Sequence, residues 1–208
     1  MRQDSSVYAE DEDIKPETDG DINMLDLLFD ERLRKLDVTL WSHIPIPNHL
    51  AIRVISHYLE INYAILPLPY FCSSFLVNSL LCWACKAYTP IDSDAATWTD
   101  DFFRQAQQDF SEQSPRNTLT TIAALQLLGM SAVTYGKDDM SLRFMQESVR
   151  LGRSMDLFDA RSEEESVRSW LRGFAGWTQA ASYTALGVFN WVSSVPSLFR
   201  PNHAWYIS

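Results

Sequence analysis

The side chains with the greatest capacity for chemistry are three cysteines, which all lie within residues 71–88, FCSSFLVNSLLCWACKAY. Cys82 and Cys85 form a CxxC pair, a spacing used by zinc sites and by thiol–disulfide oxidoreductases. A structural zinc site needs four ligands, and the third cysteine, Cys72, stands well before the pair. No two histidines follow at ligand spacing; they are His43, His49, His57 and His203. The pattern therefore predicts no metal-binding residue and no zinc in this chain.

A redox role for the CxxC pair is also not favoured. Redox-active pairs sit at a helix N-terminus, where the helix dipole lowers the pKa of the thiol. Cys82 and Cys85 lie near the C-terminal end of an uninterrupted helical pattern, three residues apart and therefore on one face. We expect two buried, unreactive thiols that pack as small apolar side chains.

No other catalytic pattern is present in the sequence. It contains no GxGxxG or GxxxxGK[ST] phosphate-binding motif, no HExxH and no GxSxG. The run Glu163, Glu164 and Glu165 is a carboxylate cluster, but consecutive residues spread around a helix, and acids in a first turn complement the helix dipole. We predict no catalytic and no cofactor-binding residue, and a protein that is not an enzyme.

The elements that carry these side chains are predicted to be helices. Apolar residues recur at helical spacing over residues 49–66, 75–89, 97–113, 117–136 and 140–158, and from 162 toward 196. No segment alternates as a strand would. The predicted fold class is all-α, a helical bundle of antiparallel αα-hairpins. The expected capping and stop residues are Asn48, Ser73 or Ser74, Thr97 or Thr99, Asn117 or Thr118, and Gly136.

The charge is unevenly spread along the chain. Its formal net charge is −10, and residues 1–31 hold eleven acidic and two basic side chains, so the rest is close to neutral. This distribution argues against DNA binding by the chain itself, because phosphate binding needs clustered Lys and Arg. Residues 61–85 and 173–199 lack charges, but prolines in the first and several polar side chains in the second favour buried helices over membrane spans.

The chain is predicted to divide into three parts. Residues 1–38 are an acidic, largely disordered tail with an amphipathic segment; residues 39–198 are a helical domain; residues 199–208 are a C-terminal tail. Within the acidic tail, Met24, Leu28 and Phe29 alternate with acids. Such a segment either folds onto a partner, as activation segments do, or docks as an amphipathic helix on its own domain.

Four segments in order carry a resemblance to a known family: residues 47–68, 72–89, 118–158 and 162–189. They resemble the middle homology, or fungal-specific transcription factor, domain of the fungal zinc-binuclear-cluster (Zn2Cys6) transcription factors. The second segment matches through Cys72-Ser73, Leu76, Asn78 and Leu81, and the third is similar to a central helix pair that ends in Met-Asp-Leu. The resemblance covers about residues 40–200.

The resemblance implies an all-helical regulatory domain. Full-length relatives are nuclear, bind DNA through an N-terminal six-cysteine zinc cluster and regulate genes transcribed by RNA polymerase II. This chain lacks that cluster, has a short segment between Leu66 and Phe71 and stops at Ser208. We therefore expect an incomplete regulatory domain that exposes apolar surface around Phe75 and Trp177 and associates with itself or with a partner.

The sequence thus predicts a nuclear transcription-regulator-type protein related to the zinc-cluster factors. It would act by protein–protein or effector contacts, with full-length relatives or a second copy as partners, and without direct DNA binding or a membrane. The alternative is a standalone helical scaffold or small-ligand-binding protein without a transcriptional role.

Overall fold

The computed structural model describes residues 28–62, 73–112, 118–158 and 177–194. These residues form helices and turns, and no strand occurs among them, so the predicted all-α class is confirmed. Three short 3-10 turns span Glu31–Lys35, Val38–Leu40 and Ser93–Ala95. The α-helices are α1 (Asn48–Asn62), α2 (Ser74–Tyr88), α3 (Ala96–Glu112), α4 (Leu119–Thr134), α5 (Asp138–Ser154) and α6 (Trp177–Ser194).

Helix α2 lies at the centre of the bundle, with α1, α3 and α4 packed around it. Eleven of its fifteen residues are buried, as its long uncharged sequence requires. Helices α2 and α3 run antiparallel, because Asn78 and Phe75 near the start of α2 contact Asp109 and Phe110 near the end of α3. Helices α4 and α5 form a second hairpin, and α6 packs on this pair.

Two of the predicted caps are confirmed and fix the starts of α2 and α4. Ser73 Oγ accepts a hydrogen bond from Leu76 N at 3.2 Å, and Thr118 Oγ1 accepts one from Thr121 N at 3.2 Å. Each hydroxyl satisfies a backbone donor that the first turn of a helix leaves free.

The predicted stop at Gly136 is confirmed and sets the α4–α5 turn. Gly136 has φ +65°, a left-handed conformation that favours glycine. Its N–H donates to Val133 O, and Lys137 N donates to Ala132 O, the paired bonds of a Schellman motif. The motif reverses the chain, so α5 packs back along α4.

The predicted caps at two other helices are wrong. The Asn48 side chain does not cap α1: its Oδ1 accepts from Val38 N at 3.1 Å and its Nδ2 donates to Leu36 O at 2.7 Å. Neither Thr97 nor Thr99 precedes a helix, since α3 begins at Ala96 after a 3-10 turn that Asp92 caps. The Asn48 side chain bonds the segment that precedes α1, and the residues before α3 form a 3-10 turn with its own cap.

The described part of the predicted acidic tail is not separate from the domain. Leu33 and Val38 are buried, and Phe29 N donates to Ser56 Oγ of α1 at 2.8 Å. Residues 28–38 therefore belong with the helical core, which favours docking on the chain's own domain, although as 3-10 turns rather than a helix. Residues 1–27 of the predicted tail and the whole 199–208 tail lie outside the described residues.

The buried face of α5 is wider than its apolar residues alone indicate. Apolar spacing in the sequence puts Leu142, Met145, Val149 and Met155 on one side of this segment. Of these, the two methionines are buried and Leu142 and Val149 are partly buried. The rest of the buried face holds two large and three small residues, namely Phe144, Leu151, Ser141, Ser148 and Gly152. Small side chains let α5 approach α4 closely, which apolar periodicity alone does not reveal.

Candidate functional site

The two thiols of the CxxC pair lie inside the core. Cys82 and Cys85 are both fully buried on α2. Burial raises the pKa of Cys82 to about 11 and that of Cys85 to about 12, because the apolar surroundings disfavour the charged thiolate. The thiolate is the reactive form, so the geometry matches the expectation of unreactive, packed thiols.

The other residues considered for metal or catalysis are not brought to the thiols. Across the four described ranges, no three His, Cys, Asp or Glu residues converge as a metal site would require. His43 and His49 are exposed, while His57 packs edge-on against Tyr88 with ring centroids 5.2 Å apart. Cys72, His203 and the three glutamates at 163–165 lie outside the described residues.

A buried polar pair joins α2 and α3. Asn78 Nδ2 donates to Asp109 Oδ2 at 2.7 Å, and Gln105 Nε2 donates to Asp109 Oδ1 at 3.0 Å. Asn78 and Asp109 are both buried, and Asn78 Oδ1 has no hydrogen-bond partner within the described part of the chain. Sequence reasoning missed this pair, although Asp109 continues the apolar stripe of Phe102 and Ala106.

Aromatic rings and Lys86 surround the end of α4. Tyr135 OH donates to Asp100 Oδ1 at 2.7 Å, and the ring centroids of Tyr135 and Phe103 are 4.7 Å apart. Lys86 Nζ lies 4.2 Å from the Tyr135 centroid and donates to Thr134 O at 3.2 Å. Because Lys86 binds a last-turn carbonyl and faces the negative end of the helix dipole, this cluster stabilises the end of α4.

A shallow cleft of about 220 Å³ separates the start of α1 from the start of α3. Its walls carry carboxylates, one histidine and a partly buried tryptophan. They are formed by Pro47, His49, Leu50, Asp92, Asp94, Thr97 and Trp98. Asp92 Oδ1 accepts a hydrogen bond from Asp94 N, and Asp92 Oδ2 lies 3.6 Å from the Arg53 guanidinium, so part of this polar wall is occupied by internal contacts.

The main exposed apolar surface lies on α6, and we call it the outer face. It consists of Tyr183, Leu186, Phe189 and Val192, of which Leu186 and Phe189 are 53% and 59% exposed. Residues three apart are neighbours on a helix surface, and each such step turns about 60° around the axis, so the four side chains form a ridge that winds around α6 with Leu186 and Phe189 at its centre. The helix has no ionisable group other than Tyr183.

The position of this face corrects the expectation from the sequence. Phe75 is buried and packs against Phe110 with ring centroids 5.7 Å apart, so the predicted exposed surface around Phe75 is wrong. The side chain of Trp177 lies outside the described residues. The uncharged run 173–199 favours buried helices over membrane spans, whereas the outer face within it is exposed.

In comparisons with known proteins, no family model matches the chain, and no curated protein or solved structure matches it either. The resemblance to the zinc-cluster factors therefore stays a prediction from the sequence. No helix in the described segments is both long and apolar enough to cross a membrane.

Proposed function

We propose that this chain is a transcription-regulator-type protein, related to the fungal zinc-cluster transcription factors, that acts in the nucleus through protein–protein contacts. It performs no catalysis and binds no DNA by itself; it reaches genes transcribed by RNA polymerase II through full-length relatives that carry the DNA-binding cluster, and it also associates with itself. The four resembling segments support the family. The observation that carries the mode of action is the exposed apolar outer face of α6.

The chemistry of the outer face favours a second copy of this chain as its partner. In a twofold contact the same patch meets itself, so a charged side chain near the axis would face its own copy. Helix α6 carries no Asp, Glu, Lys, Arg or His, which removes this repulsion. The outer face extends roughly 14 Å along the helix axis from Tyr183 to Val192, and uncharged polar residues, Ser182 and Asn190, lie beside it.

Association can be tested by sedimentation velocity over a range of protein concentrations. We expect dimers of the full chain, and monomers when Leu186→Glu or Phe189→Glu places a carboxylate opposite its symmetry copy. The matched control is Ile91→Glu, since Ile91 is also 55% exposed but lies after α2. A wild-type chain that stays monomeric, or dimers that persist in both α6 variants, would refute the twofold contact.

The regulatory role needs a separate measurement. The full chain is fused to a heterologous DNA-binding module, and the output of a reporter gene is compared with that of the module alone. We expect the fusion to change reporter output and Phe189→Glu to abolish the change. A well-expressed fusion without any effect would argue against a transcriptional role.

The alternative, a helical scaffold or small-ligand-binding protein, has the cleft between α1 and α3 in its favour. A wall that combines Asp94 with the aromatic Trp98 suits a small cationic group. A reporter fused to residues 1–38 alone that remains silent, together with a silent full-chain fusion, would favour this alternative.

A further inference from the structure

Within its described side chains, helix α6 is attached to the bundle mainly by small residues and by Trp191. Among the side chains described on it, residues 180–193, those that pack against the core are Ala180, Ala181, Ala185 and Val188. Four other large apolar side chains form the outer face instead, and Trp191 lies partly buried against α4 and α5. Helix α2, in contrast, contributes phenylalanine, leucine and cysteine side chains to the same core. Apart from Trp191, the described side chains under α6 are therefore smaller than those that α2 packs into the core.

The same interface contains a gap and a buried polar group without a hydrogen bond. A gap of about 10 Å³, close to the smallest volume that holds one water molecule, lies between α4, α5 and α6. Trp191 lines this gap, and its indole Nε1 is buried without a hydrogen-bond acceptor in the described part of the chain. A buried donor without a partner and a gap both weaken an interface.

One hydrogen bond crosses from α4 to the α6 backbone. Gln126 Nε2 donates to Thr184 O at 3.2 Å. The Gln126 side chain lies directly against Gly187, where an added Cβ would stand 2.5 Å from Gln126 Oε1. The close approach of α4 and α6 at this point thus depends on the absence of a side chain at position 187.

We propose that α6 detaches from α4 and α5 as one unit while the other helices stay folded, and that Gln126 is the latch that holds it. Detachment would uncover the surface of α4 and α5 that α6 covers, which includes Leu125, Gly129 and Met145. The consequence for association rests on the proposed function: the docked helix presents the outer face in a fixed position, and the detached helix does not.

Hydrogen exchange followed by mass spectrometry on the full chain tests this proposal. Helices that open locally exchange faster than helices that open only on global unfolding. We expect the amides of α6 to exchange at least about 100-fold faster than those in the middle of α2 and α4. Exchange of α6 at the same rate as α2 would overturn the proposal.

Two variants test the latch itself. Gln126→Met keeps the length of the side chain and removes its donor, and Gly187→Ala displaces the Gln126 amide. Each should speed α6 exchange further, by about tenfold, without changing α2. The control is Gln108→Met, since Gln108 is exposed on α3. Unchanged α6 exchange in both latch variants, or equal acceleration in every helix, would refute a latch.

Sedimentation of the same variants separates this inference from the proposed function. Fast α6 exchange in a chain that never dimerises would leave the detachable helix standing and reject the twofold contact. Dimers with slow α6 exchange would support the twofold contact and reject the detachable helix. If both hold, Gln126→Met should also weaken dimerisation.

Discussion

Replacement of Asp109 or Asn78 by leucine should destabilise the domain far more than changes at exposed polar residues. Asp109 is 7% exposed and Asn78 is 1% exposed, and each side chain depends on the other for a hydrogen bond of 2.7 Å between Asn78 Nδ2 and Asp109 Oδ2. In Asp109→Leu, the Asn78 amide loses this acceptor, and its Oδ1 is already without a partner in the described residues.

The size of the effect follows from this burial. A buried polar group left without a partner costs about 1–3 kcal/mol, and a hydrogen bond to a charged group contributes about 1.5–3 kcal/mol. We therefore expect each single leucine variant to lower the free energy of unfolding by about 2 kcal/mol. For a chain of this size, that corresponds to a fall in Tm of about 4–8 °C.

The double variant provides the sharper test. When both positions are leucine, the buried amide and carboxylate are both removed, only the partly buried Gln105 amide loses its acceptor, and the two leucines can pack across the α2–α3 interface. The loss should be about 1 kcal/mol, so the coupling energy between the two sites is about 3 kcal/mol, at the upper end for residues in contact.

The free energy of unfolding is measured by urea titration followed with far-UV circular dichroism, for the wild type, both single variants and the double variant. Asp101→Asn is the control, since Asp101 pairs with Arg104 on the surface; its effect should stay within about 0.5 kcal/mol. Single variants as stable as the wild type, or a double variant whose loss equals the sum of the singles, would refute the reasoning.

Two further predictions concern the thiols and the α4–α5 turn. Cys82 and Cys85 should resist iodoacetamide in the native protein and react in urea, because burial raises the pKa of both thiols in the folded state. Since the folded state holds these protons more tightly, the stability that the protonated thiols contribute is complete below about pH 9 and declines as the pH rises toward 11. Urea midpoints measured across that pH range test this decline. Rapid native labelling would contradict the burial. Gly136→Ala should cost about 1 kcal/mol because Gly136 has φ +65°, whereas Gly129→Ala inside α4, where a Cβ makes only ordinary contacts at 3.7 Å, should be neutral or stabilising; equal urea midpoints for the two variants would count against the left-handed turn.

Local sequence was sufficient to predict most helices and several of their ends. The caps at Ser73 and Thr118 and the stop at Gly136 depend on hydrogen bonds between residues no more than five apart. Such bonds form wherever the segment is helical, so residue type and position identify them. The burial of Cys82 and Cys85 was predictable for a similar reason, because they lie in a long uncharged helical run.

Tertiary structure decided the features that depend on distant residues. Asn48 has the residue type of a helix cap, but the neighbouring segment at Leu36 and Val38 offers its side chain better partners. Asp109 becomes half of a buried pair only because the end of α3 packs beside Asn78 at the start of α2. No periodicity within one helix contains this information.

The sequence of α6 determined that it is a helix without charges, but not which of its sides would be covered. Uncharged residues occupy every position from 177 to 194, so composition alone predicts burial all round. Packing on α4 and α5 uses the alanines and Val188, and the close approach at Gly187 orients the helix so that Leu186 and Phe189 remain exposed. The surface proposed for contact therefore follows from the geometry of helix packing, which places one side of a uniformly uncharged helix against its neighbours and leaves the other free.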